Sequence, residues 1–239
     1  LAYVQVAGKV PGVVFLGGFM SDMSGTKALH LESWCQAQGR AFLRFDYSGH
    51  GASSEAFIDG CIGDWAEDAQ ASIETLTHGP QILVGSSMGG WISLLIAQRI
   101  PARVAGLITI AAAPDFTEDG FWASFNSNIR KCLTREGVVH IPSNYGDPYP
   151  ITKRLIEDGR THLLLRKPLE FSFPIRLLQG DEDKDVSVEL ANKLFTHIKG
   201  PDVQLLLLKG ADHRFSAANE LALTEATILN VIDAIKRRT

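Results

Sequence analysis

The pentapeptide Gly85-Ser86-Ser87-Met88-Gly89 follows the apolar run 81–84 and opens a helical pattern over 88–98. A serine on so sharp a strand-to-helix turn is held in a strained backbone conformation. Glycines two residues to either side let the chain fold back closely around it. Its hydroxyl is then presented as a nucleophile above the strand ends. Centring the pattern on Ser86 would put Val84 and Met88 at the glycine positions, so Ser87 is the candidate. The helix starting behind it adds positive dipole potential.

A serine hydroxyl is a poor nucleophile until a base takes its proton, and a serine on this kind of turn is followed in chain order by an acid and then a histidine. Of seven histidines, only His197 and His213 lie beyond a plausible acid. His197 falls inside a helical pattern, whereas His213 sits in the loop between the run 203–208 and the last helix, so order and elimination select His213. His50 lies just past a strand on the same edge but precedes the nucleophile. The acid that orients the imidazole is expected in Gly180-Asp181-Glu182-Asp183-Lys184-Asp185-Val186. Asp181, Asp183 and Asp185 share one face of an extended chain, so periodicity leaves all three open. Two backbone amides are needed for the developing oxyanion. One belongs to Met88, the residue after the nucleophile, and the other to Phe19 in Leu16-Gly17-Gly18-Phe19-Met20.

These residues need a scaffold that brings distant loops to one edge. Short apolar runs at 13–16, 41–45, 81–84, 104–110, 175–178 and 203–208 read as buried strands. Helical patterns at 27–38, 64–76, 88–98, 188–198 and 217–236 alternate with them. That alternation predicts an α/β fold: a mostly parallel central sheet with helices on both faces and functional loops at the carboxyl ends of the strands. The segment 114–168 breaks the rhythm, with short helical stretches, an apolar run at 138–141 and a turn-rich 142–148. It reads as a small cap insertion in one domain spanning 1–239. Its aromatic and aliphatic residues Phe121, Trp122, Phe125, Ile151 and Leu155 suggest either an acyl-binding roof or ordinary packing on the sheet. Its seven acidic and eight basic residues give no charge preference.

Composition narrows the class. The 239 residues are 45% hydrophobic and 21% charged, and 23 basic against 27 acidic residues leave a net charge of -4 with no run of lysine or arginine to track a phosphate backbone. A nucleic-acid partner is not expected. The apolar runs are too short for a membrane-spanning helix, so no stable membrane insertion is expected either. Cys35, Cys61 and Cys132 form no CxxC pair, which predicts an intracellular, cytoplasmic setting, or a mitochondrial one if a leader has been removed ahead of Leu1. No His or Cys cluster in the sequence calls for a metal, and the chemistry calls for no organic cofactor.

Over nearly its whole length the sequence resembles the α/β-hydrolase fold serine hydrolases, in particular the branch of mitochondrial acyl-glucuronide esterases and palmitoyl-protein thioesterases. The likeness is carried by Leu1-Ala2-Tyr3, Gly25-Thr26-Lys27-Ala28-Leu29, Arg44-Phe45-Asp46-Tyr47-Ser48-Gly49, the stretch from Gly79 to Trp91, Pro174-Ile175-Arg176-Leu177-Leu178 and Asp212-His213-Arg214. In that family the acid stands three residues after the glycine ending its strand and three before a valine. The resemblance therefore implies Asp183, between Gly180 and Val186. It also implies a catalytic triad of Ser87, Asp183 and His213, an oxyanion hole at Phe19 and Met88, and hydrolysis of esters or thioesters through an acyl-serine. Small acyl compounds or acylated proteins are the implied substrates. Gly17 stands where many relatives have histidine, and Ser187 where many have proline. A perhydrolase, a carbon–carbon hydrolase, an acyltransferase or a ligand-binding receptor on the same scaffold are the rival readings. Turnover of a simple ester separates the receptor from the enzymes.

Overall fold

The computed structural model describes residues 1–143 and 146–238. Its chain order is β1 (Tyr3–Val6), β2 (Lys9–Leu16), α1 (Thr26–Ala37), β3 (Arg40–Phe45), α2 (Ile62–Leu76), β4 (Gln81–Ser86), α3 (Met88–Arg99) and β5 (Val104–Ile110). There follow α4 (Ser127–Glu136), β6 (Val138–Ser143), β7 (Gly146–Thr152), α5 (Lys153–Gly159), β8 (Leu169–Glu170), β9 (Ile175–Gly180), α6 (Val188–His197), β10 (Ile198–Lys199), β11 (Val203–Leu208) and α7 (Ala218–Lys236).

Seven strands form one sheet in the order β1-β3-β2-β4-β5-β9-β11, parallel throughout except for β1, which runs antiparallel to β3. All six strands expected from the sequence are present. The added strand β1 alternates exposed and half-buried residues at the sheet edge, so it lacked the apolar run that marks the others. Period-two alternation splits the central strands between two cores. Val14, Leu16, Leu83 and Leu107 face α2, α3 and the cap, while Val13, Phe15, Ile82, Val84 and Ile108 face α1 and α7. Helices therefore cover both faces.

β2 pairs with β3 on one side and β4 on the other, so the chain turns one way from β2 and later crosses back. Such a switch point leaves a crevice beyond the strand ends. It is flanked here by the segments that carry Phe19 and Ser87.

Between β5 and β9 the chain builds its cap from a π-helix (Phe116–Trp122), α4, the antiparallel hairpin β6–β7 and α5. The turn-rich stretch 142–148 carries the end of β6 and the start of β7, and Asn144 and Tyr145 lie outside the described residues. Prolines 142, 148 and 150 sit in these strands, because a two-stranded hairpin has free edges on which a missing N–H costs little. Indole N–H groups tie the parts together: fully buried Trp91 donates to the His162 carbonyl at 3.1 Å, and fully buried Trp65 donates to the Ser48 carbonyl at 3.1 Å.

Candidate active site

Ser87 is the single residue between β4 and α3, with φ 54° and ψ -116°. A side chain at positive φ is strained, and the surroundings must over-determine it. They do: the Ser87 amide donates to the Ile110 carbonyl at 2.9 Å, and the Ser87 carbonyl accepts from the Gly90 and Ala113 amides at 2.9 and 3.1 Å. The flanking glycines are required by close approach. A Cβ on Gly85 would lie 2.2 Å from the Gly89 carbonyl oxygen, and one on Gly89 would lie 2.1 Å from the Leu16 oxygen.

The loop after β11 brings His213 to this serine, with Nε2 3.1 Å from Ser87 Oγ. Its other nitrogen, Nδ1, is 2.9 Å from Asp183 Oδ2. A carboxylate at Nδ1 sets the tautomer in which Nδ1 carries the proton and Nε2 accepts one from the serine. The Asp183 side chain is wholly buried, and its Oδ1 accepts from the Asp185 and Val186 amides at 2.9 and 2.8 Å. Burial opposes ionisation of this carboxyl, but the hydrogen bonds from His213 and from the loop amides outweigh it and hold its pKa below the ordinary carboxylate value.

The neighbouring acids have other positions. Asp181 caps the Gly210 amide at 2.6 Å and pairs with exposed Lys209 at 2.5 Å. Asp185 lines the cavity mouth, and its amide supports Asp183. Asp183, Asp185 and His213 offer three metal-type ligand atoms within 4.8 Å of one another, but two of those residues are already joined by the hydrogen bond just described. His50 is buried in an aromatic cage of Tyr47, Phe57 and Trp65, with Nδ1 3.2 Å from the Ser48 carbonyl. Burial pushes its pKa down, which favours the neutral imidazole inside that cage. His197 ends α6.

The proposed oxyanion donors lie at the crevice. Met88 is the first residue of α3, where helix N–H groups lack partners within the helix. A Cβ on Gly18, next to Phe19, would come within 3.5 Å of Ser87 Cβ, so the β2 turn passes directly over the nucleophile. Sequence reading missed what anchors that turn. The Phe19 ring packs edge-on against Phe57, Trp65, Phe116 and Tyr149 at centroid distances of 5.0 to 6.0 Å, joining body to cap. It also missed Gln179, whose buried Nε2 donates to Asp183 Oδ2 at 3.0 Å and to the Val186 carbonyl at 2.9 Å. A lone glutamine inside the apolar β9 was the available signal.

A cavity of about 840 Å³ opens over Ser87 and His213. Phe19, Phe116, Phe121 and Tyr149 form its apolar wall. Of the five residues suggested as a roof, Phe121 lines this cavity. Phe125, Ile151 and Leu155 are buried in the core, and Trp122 is flanked by the guanidinium groups of Arg130 and Arg160 at 5.0 and 4.7 Å.

A parallel sheet of this strand order, delivering a strained serine, an acid and a histidine to one edge, is the architecture of the α/β-hydrolase serine hydrolases. Comparison with known proteins agrees: residues 11–144 match the family model described as serine aminopeptidase, S33. The mitochondrial palmitoyl-protein thioesterase ABHD10 of Rattus norvegicus is 36% identical over 244 aligned positions, covering 100% of this chain and 81% of the relative. The Homo sapiens protein of the same name is 37% identical, covering 98% and 77%. The solved structure of α/β hydrolase domain-containing protein 10 from mouse superposes with a TM-score of 0.89 at 35% identity, covering 97% of this chain and 93% of that one. The chain belongs to the α/β-hydrolase family of serine hydrolases.

Proposed function

We propose that the chain hydrolyses acyl thioesters and esters, S-acylated proteins among them, through an acyl-serine on Ser87. The observation that carries this reading is the continuous relay from Ser87 Oγ to His213 Nε2 at 3.1 Å and from His213 Nδ1 to Asp183 Oδ2 at 2.9 Å. His213 takes the Ser87 proton as Oγ attacks the acyl carbonyl. The tetrahedral oxyanion is held by the Met88 and Phe19 amides, and His213 then gives the proton to the departing thiol or alcohol. Water repeats the sequence, releasing the acid and restoring Ser87.

The thioester reading is supported by the names of the mammalian relatives and by the aromatic cavity wall, which suits an acyl chain. The same names favour a mitochondrial place of work over the cytoplasm. Among the described residues no helix is long and apolar enough to cross a membrane. The test is a panel of p-nitrophenyl esters, acyl thioesters and acyl glucuronides, assayed with the native chain and Ser87→Ala, alongside fluorophosphonate labelling. Turnover and labelling are expected only with Ser87 present. Labelling that survives Ser87→Ala overturns the reading.

A further inference from the structure

Lys27 stands in the first turn of α1 and lines the same cavity as Ser87 and His213. Its ammonium donates to the carbonyl of Arg214, the residue next to His213, and forms no ion pair among the described residues. An ammonium has three donors, so this one carbonyl leaves two for other partners or solvent. Asp212 and Glu220, the two carboxylates that attract it, also hold backbone amides. Asp212 accepts from the Arg214 and Phe215 amides at 2.9 and 3.2 Å, and Glu220 accepts from the Ala217 amide at 2.7 Å. The first turn of α1 carries no acidic residue. Burial outweighs the attraction of Asp212 and Glu220 and, with repulsion from Arg214, brings the Lys27 pKa down to about 8.

The position of this cation relative to the reaction follows from the role of His213. The imidazole that takes the serine proton must later hand it to the leaving group, so side chains beside His213 flank the leaving group. The aromatic wall of Phe19, Phe116, Phe121 and Tyr149 is left for the acyl chain. We propose that Lys27 is a specificity-determining residue that binds a carboxylate carried by the leaving group of the substrate. Asp22, Asp147 and Asp185 line the same cavity, as do Lys184 and Arg214, so the anion enters among charges of both signs. This inference rests on the serine-hydrolase reading above.

The experiment uses octanoyl thioesters of mercaptopropionate and of mercaptohexanoate, each beside its neutral N-methylamide, with the native chain, Lys27→Met and Lys27→Arg. The native chain is expected to prefer the carboxylate over the amide in kcat/KM for at least one length, by roughly tenfold, the worth of one charge-assisted hydrogen bond. Lys27→Met should lose that preference through KM, and Lys27→Arg should keep it. The preference ratio of the native chain should fall as pH rises past about 8, and that of Lys27→Arg should not. Taking the ratio cancels any pH effect common to both substrates. Absence of a native preference at both lengths, or equal proportional losses on acid and amide in Lys27→Met, overturns the proposal. The latter outcome would make Lys27 only a tether of the His213 loop. Failure of the native chain to cleave any of the four compounds would sink the hydrolase reading itself.

Discussion

Gln179 Nε2 lies 3.0 Å from Asp183 Oδ2, the oxygen that also receives His213 Nδ1–H. The glutamine comes from the sheet itself, near the end of β9, and the same nitrogen holds the Val186 carbonyl on the far side of the acid loop. One rigid strand residue thus fixes where the carboxylate points. Gln179→Leu is expected to lower kcat by roughly 10- to 100-fold, in line with the loss of a group that orients a catalytic side chain. KM should change little. The check is steady-state kinetics on a p-nitrophenyl ester, and unchanged kcat in a folded variant would reduce Gln179 to a loop brace.

The acid assignment has a direct comparison. Asp183→Asn keeps the shape but loses the charge and favours the wrong histidine tautomer, so kcat should fall by about 10⁴-fold. Asp181→Asn disturbs an exposed contact with Lys209 and the Gly210 amide, and its kcat should stay within about threefold of the native value. A larger loss at Asp181 than at Asp183 would reverse the assignment.

The Asp183 carboxyl also has a signature in stability. Its folded pKa is held below the ordinary value, so folding favours the ionised form. That contribution is fully present above the unfolded carboxylate value of about 3.9 and is lost as pH falls through the folded one. Urea unfolding of the native chain and Asp183→Asn should therefore show a stability gap at about pH 6 that narrows at about pH 3. A gap that widens on acidification would contradict the sign.

At the base of the cap, buried Asp115 joins the two ends of the insertion. Its carboxylate accepts from the Leu164 and Leu165 amides at 2.7 and 2.9 Å and from Arg166 at 3.1 Å, while Arg166 also reaches Asp119. Asp115→Ala leaves two amides and a guanidinium without that acceptor, at a cost of about 2 to 3 kcal/mol. Arg166 is partly exposed, so Arg166→Ala should cost less, about 1 kcal/mol or under. Denaturant titration measures both. Limited proteolysis should then cut Asp115→Ala first within 114–168.

Much of this was legible in the sequence, and the limits have physical causes. Ser87 was recoverable because a strained turn imposes a local demand: glycines at fixed distances, a strand before and a helix after. His213 was recoverable because chain order leaves few candidates once the nucleophile is known. The alternating strands and helices emerged because a sheet buried on both faces needs continuous apolar runs, and β1, half-exposed at the edge, escaped for the same reason. The acid was different. Asp181, Asp183 and Asp185 are equivalent along an extended chain, and a family resemblance was needed to prefer one before the fold placed Asp183 Oδ2 2.9 Å from His213 Nδ1. The contacts of the Gln179 brace, the Phe19 hub and the Lys27 cation beside Arg214 were decided by tertiary structure. Each depends on groups far apart in sequence meeting in space, and no local periodicity records such a meeting.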